Sequence, residues 1–170
     1  MDVKALIARV WRMLAGSLQW RILWLKHAKF MAGITGVVDD DGNVLLLRHR
    51  LWPQDRQWGL PTGYANKGER FEETVVREVA EETGLTVEVG ELVALTSGYR
   101  LRVEVAYKAK VTGDRQPKID GFEILEAKWF PPHQLPQGLL EAHRRLIEQA
   151  INCRASPSAR GLGACADSRD

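Results

Sequence analysis

Three glutamates, Glu78, Glu81 and Glu82, stand at positions i, i+3 and i+4 of the chain. On a helix those spacings place all three carboxylates on one face. The pairs Glu78–Glu82 and Glu78–Glu81 are then like-charge neighbours, and each costs an isolated helix about 0.2–0.5 kcal/mol. Arg77 relieves part of this repulsion, because Glu73 and Glu81 each lie four residues from it. A solvated face has no need of such crowding, whereas a divalent cation turns the repulsion into attraction. Hard oxygen ligands point to Mg2+ or Mn2+. On charge pattern alone, metal binding and a plain acidic surface both stay open.

The elements that must position these carboxylates follow from periodicity and turn chemistry. Residues 71–83 have a helical pattern with Phe71, Val75, Val76 and Val79 on one side, and Gly84 is placed to end that helix. Upstream, residues 30–38 read as a strand with close backbone approaches at Gly33 and Gly36. The run Asp39–Asn43 is a turn, since Asp-Gly favours hairpins and the spacing of an EF-hand loop is absent. Residues 44–50 form the returning strand, and 57–62 another short extended piece. Strand-like runs follow near 86–96, 101–111 and 125–130, with a final helix near 138–151. This order predicts an α+β fold, a mixed β-sheet with helices on its faces.

The 170 residues suit one domain with short extensions. With 45% hydrophobic and 27% charged residues, the composition excludes a fully disordered or collagen-like chain. A net charge of +2 leaves no global electrostatic footprint for nucleic acid. The charge is uneven, however. Residues 1–30 carry six Lys/Arg against one Asp, and residues 63–85 carry six Glu against three Lys/Arg. The first 29 residues therefore read as a separate amphipathic helical arm, with Ser17 as a candidate N-cap after a break at Gly16. Arginines interrupt its apolar run, which argues against a transmembrane span or a signal peptide. Two readings of residues 1–28 stand side by side: a basic helix on an anionic membrane surface, or a helix packed on the domain or on a second subunit of a homodimer. Residues 153–170 read as a disordered tail, and Cys153 and Cys165 as reduced thiols of a cytoplasmic protein.

The segment Gly63–Leu85, GYANKGERFEETVVREVAEETGL, resembles the Nudix box, G-x5-E-x7-R-E-U-x-E-E-x-G-U with U a bulky aliphatic residue. All nine restricted positions in its 23 residues are met. The flanks GVVDDDGNVLLLRHR, WGLPTG and EAKWFPPHQLP resemble the family's surrounding strands, so the likeness covers roughly residues 30–150, with a domain expected over 30–152. One departure is Pro61-Thr62-Gly63, where many members read Pro-Gly-Gly; it keeps the box glycine but changes the entrance.

The resemblance implies an α/β/α sandwich around the mixed sheet, and a MutT-like pyrophosphatase that hydrolyses a nucleoside diphosphate linked to another moiety. It implies Glu78, Glu81, Glu82 and the backbone carbonyl of Thr62 as ligands for Mg2+ or Mn2+. Glu69 would support the site and Arg77 would orient the carboxylates by ion pairing. Gly63 and Gly84 would permit tight backbone turns at the two ends. The general base stays open between Glu81 and Glu123, with Asp120 and Glu126 as neighbours of the latter. Arg48 and Arg50 share a strand face and could meet phosphates, while Trp52, Trp58 and Tyr64 could stack on a base. Tyr99 is a weak hint of a dinucleoside polyphosphate, and TSGYRLR lacks the proline of ADP-ribose hydrolases. The expected substrate is a nucleotide sugar, a nucleotide alcohol or a nucleoside triphosphate, with no nucleic-acid partner. A non-catalytic nucleotide-binding domain and a membrane-associated hydrolase of a lipid-linked diphosphate are the alternatives.

Overall fold

The computed structural model describes residues 3–14, 16–27, 29–97, 101–119 and 121–152. The expectations for Tyr99, Asp120, the two cysteines and the tail lie outside these residues. The chain divides into two compact units at Phe30/Met31.

The first unit is a helical pair, α1 (Val3–Met13) and α2 (Gly16–Lys26). The Gln19 amide donates to the Trp11 carbonyl at 2.7 Å and joins the two. No residue of either helix is buried. Ser17 is not a cap: α2 already begins at Gly16, so Ser17 lies inside the first turn.

The second unit is built on strands β1 (Met31–Asp40), β2 (Asn43–His49), β3 (Trp58–Gly59), β4 (Thr62–Tyr64), β5 (Thr86–Ser97), β6 (Arg102–Thr112) and β7 (Ile124–Phe130). Helix α3 (Phe71–Thr83) follows β4, and α4 (Glu141–Asn152) follows β7. All seven strands join one sheet, with β1 and β6 parallel and the other pairings antiparallel. Asp41 and Gly42 both have positive φ, 47° and 92°, and close the β1–β2 hairpin in two residues as the Asp-Gly pair predicts.

Period-two alternation sorts the buried side chains onto two faces. Leu45 and Leu47 join Ile34, Val38, Val105 and the α3 residues Val75 and Val79 on one side. Val44 and Leu46 join Val37, Ala106 and the α4 residues Ile147 and Ala150 on the other. A sheet buried on both faces explains why VLLL runs unbroken in β2. The result is the expected sandwich of helix, mixed sheet and helix. Val76 departs from expectation. It is exposed, because the i, i+4 pair Val75–Val79 takes the sheet-facing stripe and Val76 is turned about 100° away.

The extended piece expected over 57–62 is two strands rather than one. β3 pairs with β2, whereas β4 pairs with β1 opposite Gly33–Thr35. Leu60 and Pro61 carry the chain across. Pro61 cannot donate to a ladder, but its carbonyl accepts from Gly36 N at 3.0 Å, and Leu60 N donates to His143 Nδ1 at 2.9 Å. The final helix starts later than expected, at Glu141. Residues 138–140 are instead held extended against Trp58, whose N donates to Gly138 O and whose O accepts from Leu140 N.

His143 belongs to an aromatic group in which His49 is buried and Trp52 and His143 are half-buried. His49 stacks on Trp52 with ring centroids 3.8 Å apart, and Trp52 meets His143 edge-on at 6.0 Å. Burial pulls both histidines down to a pKa of about 4, and for His143 the neighbouring His49 adds to it. Protonation of His143 at Nδ1 would also end its acceptance from Leu60. In the unfolded chain these imidazoles titrate near 6.5. Between pH 6.5 and 4 the unfolded state therefore binds more protons, and stability falls as pH falls. We expect His143→Gln to flatten the loss of urea-midpoint stability between pH 7 and 4.5 relative to the unsubstituted chain. Parallel profiles for the two proteins would contradict this account.

Candidate active site

Helix α3 carries the site. Its N-terminus is closed by Glu73, whose Oε2 accepts from Arg70 N at 2.9 Å, and Glu72 and Glu73 both favour the positive end of the helix dipole. Gly84 ends it with φ 67°, donating to Ala80 O. With Val75 and Val79 fixed in the core, the Arg77–Glu78–Glu81–Glu82 face turns toward β4.

Arg77 is the centre of the arrangement. Its Nε and Nη2 donate to the two oxygens of Glu69 at 2.8 and 3.1 Å, a bidentate pair. Nη1 donates to Glu78 at 2.6 Å and to Glu81 at 3.3 Å, and Nη2 reaches the Tyr64 carbonyl at 3.0 Å. Glu73, the other partner allowed by spacing, pairs with Arg70 instead. Glu69 also accepts from Asn66 N at 2.8 Å and Thr74 Oγ1 at 3.0 Å. The hydrogen bonds from Arg77, then that from Asn66, hold its carboxyl down at a pKa of about 2. Asn66 and Thr74 were not legible as site residues. Thr74 lies one turn before Arg77 on the same helix, which is the only sequence signal for it.

Gly63 is required by space. It lies in β4 opposite Ile34, and a Cβ there would overlap the Glu78 carboxylate. Thr62 is locked beside it: its hydroxyl donates to Ile34 O at 3.1 Å and bonds the Thr35 hydroxyl at 3.0 Å.

Glu82 is the strained member. It is largely buried, its Oε2 has no hydrogen-bond partner, and burial raises its pKa to about 8. The charges of Glu78 and Glu123, and more weakly Glu81, push the same way; a hydrogen bond from the Thr62 backbone opposes them. Glu123, far away in sequence, thus faces the helical carboxylates. A cleft of about 530 Å³ is lined by Thr62, Gly63, Tyr64, Glu78, Glu81, Glu82 and Glu123, among others.

Four carboxylates converge on this cleft with one buried oxygen left unpaired, and that donor set suits a hard divalent ion. Among the described residues, no three acidic or imidazole groups already stand as a finished ligand cage. Arg77 holds Glu78 and Glu81 in the positions they take.

The remaining expected residues are placed differently. Tyr64 lines the cleft, exposed, with the Arg102 guanidinium 5.3 Å from its ring centroid. Arg48, Arg50 and Trp58 are not in the cleft lining. Arg48 pairs with Glu126 across the β2–β7 ladder at 3.4 Å, since the two are opposed in register, and Lys128 also pairs with Glu126. Trp58 packs edge-on against Phe130 at 5.2 Å in the α4-side core. Trp52 is taken up by His49. Arg50 grips the chain around Glu123: its N donates to Glu123 O at 2.8 Å, its Nε to Phe122 O at 2.7 Å, and its guanidinium covers the Phe122 ring at 5.0 Å. A register irregularity between Arg48 and His49 in the β2–β7 pairing precedes this contact, as bulges near functional sites do.

The NUDIX domain family matches residues 29–150. The chain belongs to the Nudix family. Among its curated relatives are an ADP-ribose pyrophosphatase of Methanocaldococcus jannaschii and the NAD-capped RNA hydrolase NudC of Mycobacterium bovis. The first is 29% identical over 120 residues, covering 68% of this chain and 69% of that one. The second is 35% identical over 95 residues, covering 55% and 30%. A MutT NUDIX hydrolase from Burkholderia pseudomallei shares the fold with a TM-score of 0.62 and 28% identity, over 71% of this chain and 98% of that one. A NUDIX hydrolase from Nitrosomonas europaea does so at 0.66 and 23%, over 76% and 74%. The chain spans only 33% and 46% of two further curated relatives, from Caenorhabditis elegans and Mycobacterium tuberculosis. In this Nudix protein the box is therefore the loop, helix and turn just described.

Glu82 yields a direct test. A folded-state pKa raised above the unfolded value means stability is full below pH 4.5 and is lost as pH rises through 8. Glu82→Gln removes that loss. In chelator-treated protein at pH 9 the variant should be more stable than the parent by a few kcal/mol in urea denaturation, and the two should converge at pH 4.5. A destabilised variant at pH 9 would refute the burial account.

Proposed function

We propose that this chain is a divalent-metal-dependent pyrophosphohydrolase acting on a nucleoside diphosphate linked to another moiety. The observation that carries the reading is the convergence of Glu78, Glu81, Glu82 and Glu123 on one cleft, with Arg77 fixing two of them and the buried Oε2 of Glu82 unpaired. Glu78, Glu81, Glu82 and the Thr62 carbonyl would hold Mg2+ or Mn2+. When bound, such an ion neutralises phosphate charge and orients the groups that react.

The chain's own residues do the rest. Arg77 keeps the carboxylates from splaying and sets the face they present. Glu123 takes the proton of the attacking water, because it is exposed to the cleft and free of the Arg77 network, whereas Glu81 is tied to that arginine. Water oxygen bonds to phosphorus, the bridging P–O bond breaks, the water proton passes to Glu123, and the second phosphate leaves with the bridging oxygen. Tyr64, backed by Arg102, offers an exposed ring on which a base can stack. Relatives named for ADP-ribose and for NAD-capped RNA, and a structural neighbour named UDP-X diphosphatase, all fit diphosphates joined to a nucleoside. The substrate classes that fit are a nucleotide sugar, a nucleotide alcohol or a nucleoside triphosphate.

Release of nucleoside monophosphate should be measured from a panel of nucleotide sugars, CDP-choline, ADP-ribose, NADH, dinucleoside polyphosphates and nucleoside triphosphates. Turnover with Mg2+ or Mn2+ that EDTA abolishes is expected. Nucleotide binding without turnover on the whole panel would favour a non-catalytic domain instead. A second test concerns Arg50 as a positioning residue. Arg50→Met should lower kcat about tenfold with little change in KM, and should have no further effect in a Glu123→Gln background. Additive losses would remove Arg50 from that role, and an unaffected Glu123→Gln would remove Glu123 as base.

A further inference from the structure

The N-terminal unit combines basic and large apolar side chains. Residues 1–30 carry six Lys or Arg, namely Lys4, Arg9, Arg12, Arg21, Lys26 and Lys29, against a single acid, Asp2. The unit's large apolar side chains are nonetheless open, with Met13 80%, Trp20 70% and Leu25 72% exposed. Soluble surfaces rarely leave large apolar patches uncovered. Each helix has 11 residues and is about 16 Å long, roughly half the thickness of a hydrocarbon core. Neither is long and apolar enough to cross a membrane, and among the described residues no helix is.

Charge decides between occupants. A second copy of the arm would bring six cations against six others with only Asp2 on each copy to offset them, so repulsion within a Debye length of about 8 Å stays largely uncompensated. An anionic lipid surface instead offers phosphate and carboxylate groups to the cations and an acyl boundary to the apolar side chains. Trp20 and Trp24 are the residue type that settles at that boundary, and Lys29 Nζ lies 4.3 Å from the Trp24 ring centroid, joining an apolar body to a charged tip. We infer that the amphipathic helix α1 lies in the plane of an anionic lipid bilayer, with the tryptophans of α2 at the same boundary, and that the arm holds this chain at its surface as a peripheral protein. The inference does not depend on the proposed hydrolysis, since it uses none of the cleft residues.

The test is co-sedimentation of the full-length protein with phosphatidylcholine vesicles, with and without 30% phosphatidylserine. Binding is expected only where phosphatidylserine is present, and should fall steeply between 0.1 and 0.5 M salt. The variant R9E/R12E/R21E/K26E should lose more than a hundredfold in partitioning, given about fivefold per basic residue near a charged surface. Trp20→Ser/Trp24→Ser should weaken binding while keeping its salt dependence. Both variants should hydrolyse a soluble nucleotide as the parent does. Equal binding to neutral and anionic vesicles, or no binding together with a concentration-dependent dimer that the charge-reversal variant abolishes, would overturn the inference. Lost hydrolysis with retained vesicle binding would instead count against the catalytic reading alone.

Discussion

The guanidinium of Arg77 is the constraint on which the site depends. Its fixed fork meets Glu69 through two parallel hydrogen bonds and spends its remaining donors on Glu78, Glu81 and the Tyr64 carbonyl. Side-chain exposure falls from 61% at Glu81 to 16% at Glu78 and 14% at Glu69. The innermost contacts are therefore those where water screens least. A lysine at this position could supply charge but not that geometry. Much of the surrounding fold can be seen as meeting the requirements of this one side chain. Glu69 must be presented from the loop before α3, Tyr64 O must face inward from β4, and Gly63 must leave room for Glu78.

Those requirements explain the unusual path of the sheet. β1 pairs with β2 only near the hairpin, and β4 takes up β1 at the opposite end. The chain can reach that place because Leu60 and Pro61 cross between the two pairings while their backbone groups are satisfied by His143 and Gly36. The far-side helix α4 thus takes part in locating a strand of the cleft on the other side of the sheet. The pair His49 and His143 accompanies that arrangement, with Trp52 between them.

Much of this was legible in the sequence. The span of α3, the cap at Gly84, the Asp41-Gly42 hairpin and the returning strand β2 follow from periodicity and local turn chemistry, which act over a few residues. Less legible were the features set by long-range pairing. The split of 57–62 into two strands depends on which neighbour each half finds, and the late start of α4 on a bridge to Trp58. Arg48 and Arg50 looked alike because alternation places them on one face. Only the register with β7 gives Arg48 to Glu126, and only the turn at Phe122 gives Arg50 to the backbone beside Glu123. Trp58 and Tyr64 are both aromatic residues near the box, and no local signal separates a ring in the core from one at the cleft.

The four acidic groups do not rest on equal foundations. Three project from a single helix bolted to the core by Val75 and Val79, so their mutual spacing is inherited from helical geometry and changes little without unfolding. The fourth arrives on an irregular stretch between β6 and β7, clasped by one arginine. The cleft is accordingly a vice with one fixed and one exchangeable jaw. Insertions or deletions between Gly113 and Phe122 would therefore reshape one wall of the cleft while the fixed jaw stays as it is.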